Sequence, residues 1–150
     1  DLMAGYGRGG LRSIGFDAIE QITRLYWYTV EFGLINTPEG RRIYGAGIVS
    51  SRAESIFSLE ALSPNRVHFE IERIMRTDYR NDDFQQTYFV IDSFEELMEA
   101  TYQDFEAIYQ RLRGQADLKP TQIIEGDRVY SRGSQVYALA GGLLKQAAAL

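Results

Sequence analysis

The strongest constraint on the fold is an aromatic segment, Arg24–Leu34, with the sequence RLYWYTVEFGL. Plotted as a helix, this segment and the turn before it are apolar on two sides. One side carries Trp27 and, one turn later, Glu31. The other side carries Ile22, Tyr26, Thr29 and Val30. A helix that is apolar on both sides is usually buried all round, so the Glu31 carboxylate needs a partner.

The sequence pattern leaves two interpretations of Glu31 open. In the first, Glu31 forms a surface ion pair with Arg24 beside a half-buried Trp27. In the second, Glu31 is a functional carboxylate that binds a metal ion, joins a hydrogen-bond network or takes up a proton. Periodicity alone does not choose between them.

Length, charge and composition exclude several classes of protein. A chain of 150 residues fits one domain with a real core. The net charge of −5 argues against binding to nucleic acid or to an anionic membrane surface. The chain has no cysteine, which excludes disulfides and thiolate chemistry and fits a reducing cytoplasm. No apolar run approaches the roughly 20 residues that span a bilayer.

Local signals predict a mainly helical chain with a few short β-strands. The glycine-rich start, GYGRGG, predicts a loop without the pattern of a phosphate-binding loop. The predicted helices are Ala18–Phe32 behind an Asp17–Glu20 capping box, Ser51–Leu59, Val67–Arg76 and Phe94–Arg113. The predicted strands are Arg42–Val49 and Thr87–Ile91, with a hairpin of Thr121–Ile124 and Val129–Tyr130. The pattern over Val136–Leu150 fits either a strand or a helix.

Most of the charged residues that could serve in catalysis or metal binding have an ordinary structural explanation. His68 is the single histidine and lacks a nearby partner in the sequence, so we predict a surface or capping residue and no self-contained histidine metal site. Without a second histidine or a cysteine, serine and cysteine triads are also excluded. Asp82 and Asp83 are expected to point apart into solvent, and Glu95 and Glu96 to lie in the first turn of a helix.

Ser50 and Ser51 follow a glycine-containing segment and precede a predicted helix. This is a common place to hold a polar ligand group, and it is also where an ordinary N-cap lies. Both interpretations remain open on these grounds.

Four segments together resemble the C-terminal half of the catalytic domain of the aromatic amino acid hydroxylases. They are RLYWYTVEFGLI, RIYGAGIVSS, SPNRV and TYFVIDSF. The resemblance runs from about Tyr6 to Phe105 and is most specific in YWYTVEFG with YGAGIVSS. The residues in these motifs are most similar to those of the single-domain bacterial members that act on phenylalanine. Residues after Gly114 match no segment of the family.

The resemblance implies an oxidoreductase that hydroxylates L-phenylalanine to L-tyrosine with dioxygen and tetrahydrobiopterin or a related tetrahydropterin. In that family a non-haem Fe(II) is held by two histidines and one carboxylate. Glu31 is then the expected iron ligand. Alternatives are tryptophan or tyrosine hydroxylation, or a non-catalytic interaction domain on the same scaffold.

Other positions acquire expected roles through the same resemblance. Tyr26 matches a residue on the pterin side, and Glu54 matches a residue of the pocket wall that supports it from behind. Thr23 and Asn81 depart from the family pattern, which has alanine and an apolar residue there. The expected substrate-binding residues are Trp27, Gly47, Ser50, Ser51 and Tyr79.

The family's two histidine ligands belong to an HDxxGH motif that this sequence lacks. We therefore expect residues 1–150 to be the C-terminal portion of a single hydroxylase catalytic domain, inactive alone. Ala147–Leu150, AAAL, resembles residues that an expression vector adds. We expect the parent protein to be a cytoplasmic monomer, as its bacterial relatives suggest.

Overall fold

Residues 1–139 are described by the structure, a computed structural model of the chain, with side chains described through Tyr137. They form helices and one small mixed sheet, which confirms the predicted mainly α class with a few short strands. The α-helices are α1 Leu2–Phe16, α2 Ile19–Tyr26, α3 Ala46–Val49, α4 Arg52–Glu60, α5 Ile71–Met75, α6 Phe94–Thr101, α7 Phe105–Leu112 and α8 Val136–Leu139. The strands are β1 Leu34–Thr37, β2 Gly40–Ile43, β3 Asn65–His68, β4 Thr87–Ile91 and β5 Val129–Ser131.

The five strands lie in the order β2-β1-β4-β3-β5. β1, β3 and β4 run parallel, while β2 and β5 pair antiparallel at the two edges. All five residues of β4, TYFVI, are buried, as expected for a central strand. The larger apolar cluster lies between this sheet and helices α1, α2, α5, α6 and α7. A smaller cluster surrounds Leu34, Ile48 and Tyr88 and supports the start of β1.

Helix α1 occupies the glycine-rich segment for which the sequence predicted a loop, so that prediction was wrong. Gly5 and Gly9 are buried one turn apart, where α1 packs on α2, α6 and α7. A Cβ atom on Gly5 would lie 2.4 Å from Thr101 Oγ1, and one on Gly9 would lie 3.0 Å from Ile22 Cδ1. This close packing outweighs the low helix propensity of glycine.

The predicted Asp17–Glu20 capping box does not form. Asp17 instead ends α1 in the left-handed region, with φ at 53°, and its backbone N–H donates to the Ser13 carbonyl. The N-cap of α2 is Ala18, which makes no side-chain cap hydrogen bond. The burial of α2 against the core therefore defines its start.

The predicted strand Arg42–Val49 is wrong in its second half. Strand β2 ends at Ile43, and Ala46–Val49 forms the short helix α3. The chain turns because the backbone at Gly45 packs directly on the carbonyl of Glu31, where a Cβ would lie at 2.4 Å. Strand β1 was not predicted, and its pairing with both β2 and β4 makes it extended.

The predicted helix Val67–Arg76 is also only half correct. Val67 lies in β3, opposite Phe89 of the central strand β4, so sheet pairing keeps this part extended. Helix α5 begins after Glu70, whose carboxylate accepts hydrogen bonds from the amides of Glu72 and Arg73.

The predicted helix Phe94–Arg113 is interrupted between α6 and α7. Asp104 caps α7 by accepting a hydrogen bond from the Ala107 amide. At the start of α6, Ser93 acts as the N-cap by accepting a hydrogen bond from the Glu96 amide. The predicted hairpin is wrong, because β5 pairs with β3 rather than with residues 121–124.

The predicted element over Val136–Leu150 is helical at Val136–Leu139, and its remainder lies outside the described residues, as does Ala147–Leu150. In residues 1–139, no helix combines the length and apolar composition that crossing a bilayer requires.

Candidate active site

Residues Trp27–Glu31 continue α2 as a π-helix. The Phe32 amide donates to the Trp27 carbonyl five residues earlier, at 2.9 Å. The wider turn changes which side chains face the core. Tyr28 is fully buried, whereas Tyr26, predicted on the buried side, is 36% exposed. Such π-helical turns are rare and are frequent at functional sites.

Glu31 ends this π-helix and is half-buried beside two glycines that follow β2. A Cβ on Gly47 would lie 3.1 Å from Glu31 Oε2 and 3.0 Å from its carbonyl oxygen. Gly45 approaches the same carbonyl more closely, and its amide donates to the Gly33 carbonyl at 3.0 Å. The two glycines therefore let the chain cross the end of the π-helix and shape the space beside the carboxylate.

Across residues 1–137, the Glu31 carboxylate accepts no hydrogen bond and joins no ion pair. The alternative Glu31–Arg24 pair does not form, because the buried Arg24 guanidinium donates to Asp117 at 3.0 and 3.1 Å. This hydrogen bonding lowers the pKa of Asp117. A half-buried carboxylate with no partner in this part of the chain fits the single carboxylate ligand of a metal centre.

An aromatic cluster lies next to Glu31 in the sequence and the fold. The Trp27 ring stacks on Tyr79 with a centroid distance of 4.4 Å and an interplanar angle of 16°. The centroid of the Phe32 ring lies 4.7 Å from that of the Trp27 ring. The indole Nε1 donates to Gln85 Oε1 at 3.0 Å. Two of the predicted substrate residues, Trp27 and Tyr79, are thus brought together from positions 52 residues apart in the sequence.

Glu54 is buried behind this cluster. Its Oε2 accepts hydrogen bonds from the Gln85 amide at 3.0 Å and from the Tyr88 hydroxyl at 2.6 Å. Burial and the neighbouring carboxylate raise the pKa of Tyr88 well above its usual value, so its hydroxyl keeps its proton to donate. Glu54 therefore ties α4 to the segment that enters β4.

Ser50 and Ser51 have local hydrogen-bonding roles. Ser51 caps α4 by accepting a hydrogen bond from the Glu54 amide at 3.2 Å, so the N-cap interpretation is confirmed for this residue. Ser50 is exposed and donates to the Gly47 carbonyl at 3.0 Å. Ser50 thereby remains close to the glycine that contacts Glu31.

Tyr26 lies on the other side of the helix from the Trp27 cluster and packs edge-on against Tyr6, with a centroid distance of 5.6 Å. Thr23 is exposed and donates to the Ile19 carbonyl. Asn81 is exposed in the segment before β4. Among the described residues, no side-chain hydrogen bond joins these three positions to Glu31.

His68 was predicted to be a surface or capping residue, but three-dimensional pairing gives it acidic neighbours. Its Nε2 lies 2.6 Å from Glu96 Oε1, and Nδ1 lies 2.8 Å from the Tyr130 hydroxyl. Asp92 lies in the same cluster. One ring nitrogen of His68 and one carboxylate oxygen each of Asp92 and Glu96 all lie within 4.8 Å of one another. A hydrogen bond from Asn36 lowers the pKa of Asp92. All these groups have protein partners, and the cluster ties β3 and β5 to α6.

The other acidic residues whose surroundings were predicted from the sequence differ in exposure and in their partners. Asp82 is exposed and pairs with Arg80, as expected for a solvated residue. Asp83 is half-buried and accepts a hydrogen bond from Tyr137, so its prediction as a solvated residue was wrong. Glu95 is exposed in the first turn of α6, as predicted.

Gln85 was not predicted as a site residue, but it is 2% exposed and contacts both Trp27 and Glu54. No local motif marks it, because its partners lie 58 and 31 residues away.

The sequence is similar to those of curated phenylalanine-4-hydroxylases over most of its length. A phenylalanine-4-hydroxylase of Caulobacter vibrioides is 60% identical over 149 residues, which cover 99% of this chain and 51% of that protein. One from Ralstonia nicotianae is 53% identical over 135 residues, covering 90% of this chain and 43% of its own. The chain thus spans about half the length of the curated relatives it matches.

The fold is also similar to that of a solved structure. A crystal structure of phenylalanine hydroxylase from Chromobacterium violaceum, with iron and phenylalanine bound, superposes with a TM-score of 0.84 at 53% identity. The match covers 86% of this chain and 48% of that one. The family model of the biopterin-dependent aromatic amino acid hydroxylases matches residues 7–124, which include the π-helix, both glycines and the Trp27 cluster. The expectation that residues after Gly114 match no segment of the family was therefore wrong, because this match and that to the Caulobacter protein both extend beyond Gly114. The chain therefore belongs to the biopterin-dependent aromatic amino acid hydroxylase family.

Proposed function

We propose that this chain is part of a phenylalanine 4-monooxygenase that converts L-phenylalanine to L-tyrosine with dioxygen, a tetrahydropterin and Fe(II). The observation that carries the proposal is the half-buried Glu31 carboxylate, which has no partner within residues 1–137 and lies beside Gly47. The names of the relatives at 60% and 53% identity support phenylalanine as the substrate.

In this proposal Glu31 supplies the carboxylate ligand of the iron, which when bound provides the chemistry that activates dioxygen. The histidine ligands come from sequence outside this chain, because the single histidine, His68, is held by Glu96 and Tyr130. On its own the chain is then inactive.

The aromatic cluster binds the substrate ring in this proposal. Trp27 and Tyr79 form a stacked, pre-ordered surface, and aromatic rings prefer offset-stacked or edge-on neighbours. Gly47, Ser50 and Ser51 form the adjoining wall. Tyr26, on the other side of the helix, faces the pterin, and Glu54 supports the wall from behind.

The test is tyrosine formation coupled to tetrahydropterin oxidation in the full-length protein. We expect Glu31→Ala to abolish tyrosine formation, while Glu60→Ala, a change at an exposed glutamate of α4, leaves it unchanged. Supplying tryptophan and tyrosine in place of phenylalanine tests the choice of substrate. Tyrosine formation by Glu31→Ala at the wild-type rate would overturn the proposal.

We further propose that the protein is a cytoplasmic monomer that binds neither nucleic acid nor membrane. The absence of cysteine and the net charge of −5 support this. Size-exclusion chromatography with light scattering measures the oligomeric state, and a dimer mass would contradict it.

A further inference from the structure

The Gln85 side-chain amide has a single orientation that its partners determine. Its Nε2 donates to the Arg80 carbonyl at 2.9 Å, and its Oε1 accepts from the Trp27 indole at 3.0 Å. A carbonyl only accepts and an indole N–H only donates, so the reversed amide would lose both hydrogen bonds.

The backbone of Gln85 is fixed independently of its side chain. Its amide donates to Glu54 Oε2, which also accepts the Tyr88 hydroxyl. Glu54 on α4 thus holds the Gln85 backbone, and Tyr88 in β4 in turn holds the Glu54 carboxylate. Because Gln85 is 2% exposed, water does not compete for these bonds, and an unpaired group here would be costly.

The indole bond fixes the rotation of the Trp27 ring. Stacking on Tyr79 at 16° sets the plane of the indole but not which edge of the ring faces Gln85, and the bond from Nε1 to Gln85 sets that edge. A pre-ordered binding surface binds its ligand with a smaller loss of entropy.

We infer that Gln85 is a positioning residue for amino-acid binding, which fixes the Trp27 indole in the orientation that receives the substrate ring. This inference rests on the proposed function, in which Trp27 lines the substrate pocket. Gln85 acts through Trp27, so it sets how tightly the amino acid binds and leaves the chemical step alone.

The experiment compares Gln85→Met with wild type in the full-length protein. Methionine keeps the length and volume of the side chain and removes both amide hydrogen bonds. We expect KM for phenylalanine to rise about three- to tenfold, the range of one hydrogen bond. We expect kcat to change less than about twofold. The indole N–H resonance of Trp27, assigned by its loss in Trp27→Phe, should shift and its proton should exchange faster.

Gln86→Met is the matched control, because the neighbouring Gln86 side chain forms no hydrogen bond within the described residues. It should leave KM and the indole resonance unchanged. Trp27→Phe removes the donor without touching Gln85, so the two substitutions together should raise KM little more than either alone.

An unshifted indole resonance in Gln85→Met, or equal effects of Gln85→Met and Gln86→Met, would overturn the inference. So would an unchanged KM in Trp27→Phe, a readout that remains if Gln85→Met does not fold. Absence of tyrosine formation by the wild type would instead refute the proposed function, and the indole resonance would still decide whether Gln85 fixes the ring.

Discussion

Gly47 is the residue on which the position of the Glu31 carboxylate depends most directly. A Cβ there would lie 2.9 Å from Phe32 Cζ, 3.0 Å from the Glu31 carbonyl oxygen and 3.1 Å from Glu31 Oε2. The carboxylate is flexible, but the carbonyl and the buried ring are not. A methyl group at this position must therefore displace the end of the π-helix together with its carboxylate.

We predict that Gly47→Ala weakens Fe(II) binding by the full-length protein about 10- to 100-fold, the range seen when a residue that supports a metal ligand is changed. Titration of the metal-free protein with Fe(II) under anaerobic conditions measures this. Gly10→Ala is the control, because nothing lies within 4 Å of a Cβ there. Equal affinity of Gly47→Ala and Gly10→Ala would contradict the role assigned to Gly47.

A local signal is what the sequence offers for prediction at single residues. The two-sided apolar pattern around Glu31 predicts a carboxylate that needs a partner, and the structure excludes the Arg24 alternative. Gln85 could not be found in this way, because neither periodicity nor a motif links it to Trp27. The family resemblance likewise assigned no role to Gln85.

Helix α1 shows how packing between elements overrides local propensity. Its glycines are of two kinds: Gly5 and Gly9 are buried against neighbouring helices, while Gly7, Gly10 and Gly15 have nothing within 4 Å of a Cβ. The sequence reveals the number of glycines but not which of them face a neighbour. For the same reason the breaks at α3 and between α6 and α7, which depend on tertiary contacts, escaped prediction.

We predict opposite effects for two alanine substitutions in α1. Gly5→Ala places a methyl group 2.4 Å from Thr101 Oγ1 and should lower the free energy of unfolding by about 1–3 kcal/mol, as overpacking does. Gly7→Ala should raise it by about 0.5–1 kcal/mol, because alanine is the better helix former. Urea denaturation followed by circular dichroism measures both. The account of α1 fails if Gly5→Ala stabilises the protein as much as Gly7→Ala.

Several tyrosines place their hydroxyl groups in the interior of the molecule. For five tyrosines, burial raises the pKa above the usual value of about 10. For Tyr88 the neighbouring Glu54 carboxylate adds to the effect. The tyrosines concerned are Tyr6, Tyr28, Tyr44, Tyr88 and Tyr109.

We predict that these tyrosines make the fold sensitive to alkali. The unfolded chain releases their protons near pH 10, while the folded chain retains them, so their contribution to stability is complete below about pH 10. That contribution is lost as the pH rises above about 10 toward the raised pKa values. Tyrosinate absorbance and circular dichroism, followed together from about pH 8 to about pH 12, should change in a single transition for the buried tyrosines. Full ionisation of all 10 tyrosines in a still-folded chain would contradict this.

We propose that the π-helix and the glycines after β2 hold the Glu31 carboxylate in the position in which it binds iron. Anomalous diffraction at the iron absorption edge, from crystals of the full-length protein grown with Fe(II), tests it most directly. We predict an iron peak about 2 Å from a Glu31 carboxylate oxygen, the usual length of a metal–carboxylate bond. An iron peak bound by other residues, with Glu31 outside coordinating distance, would contradict the account.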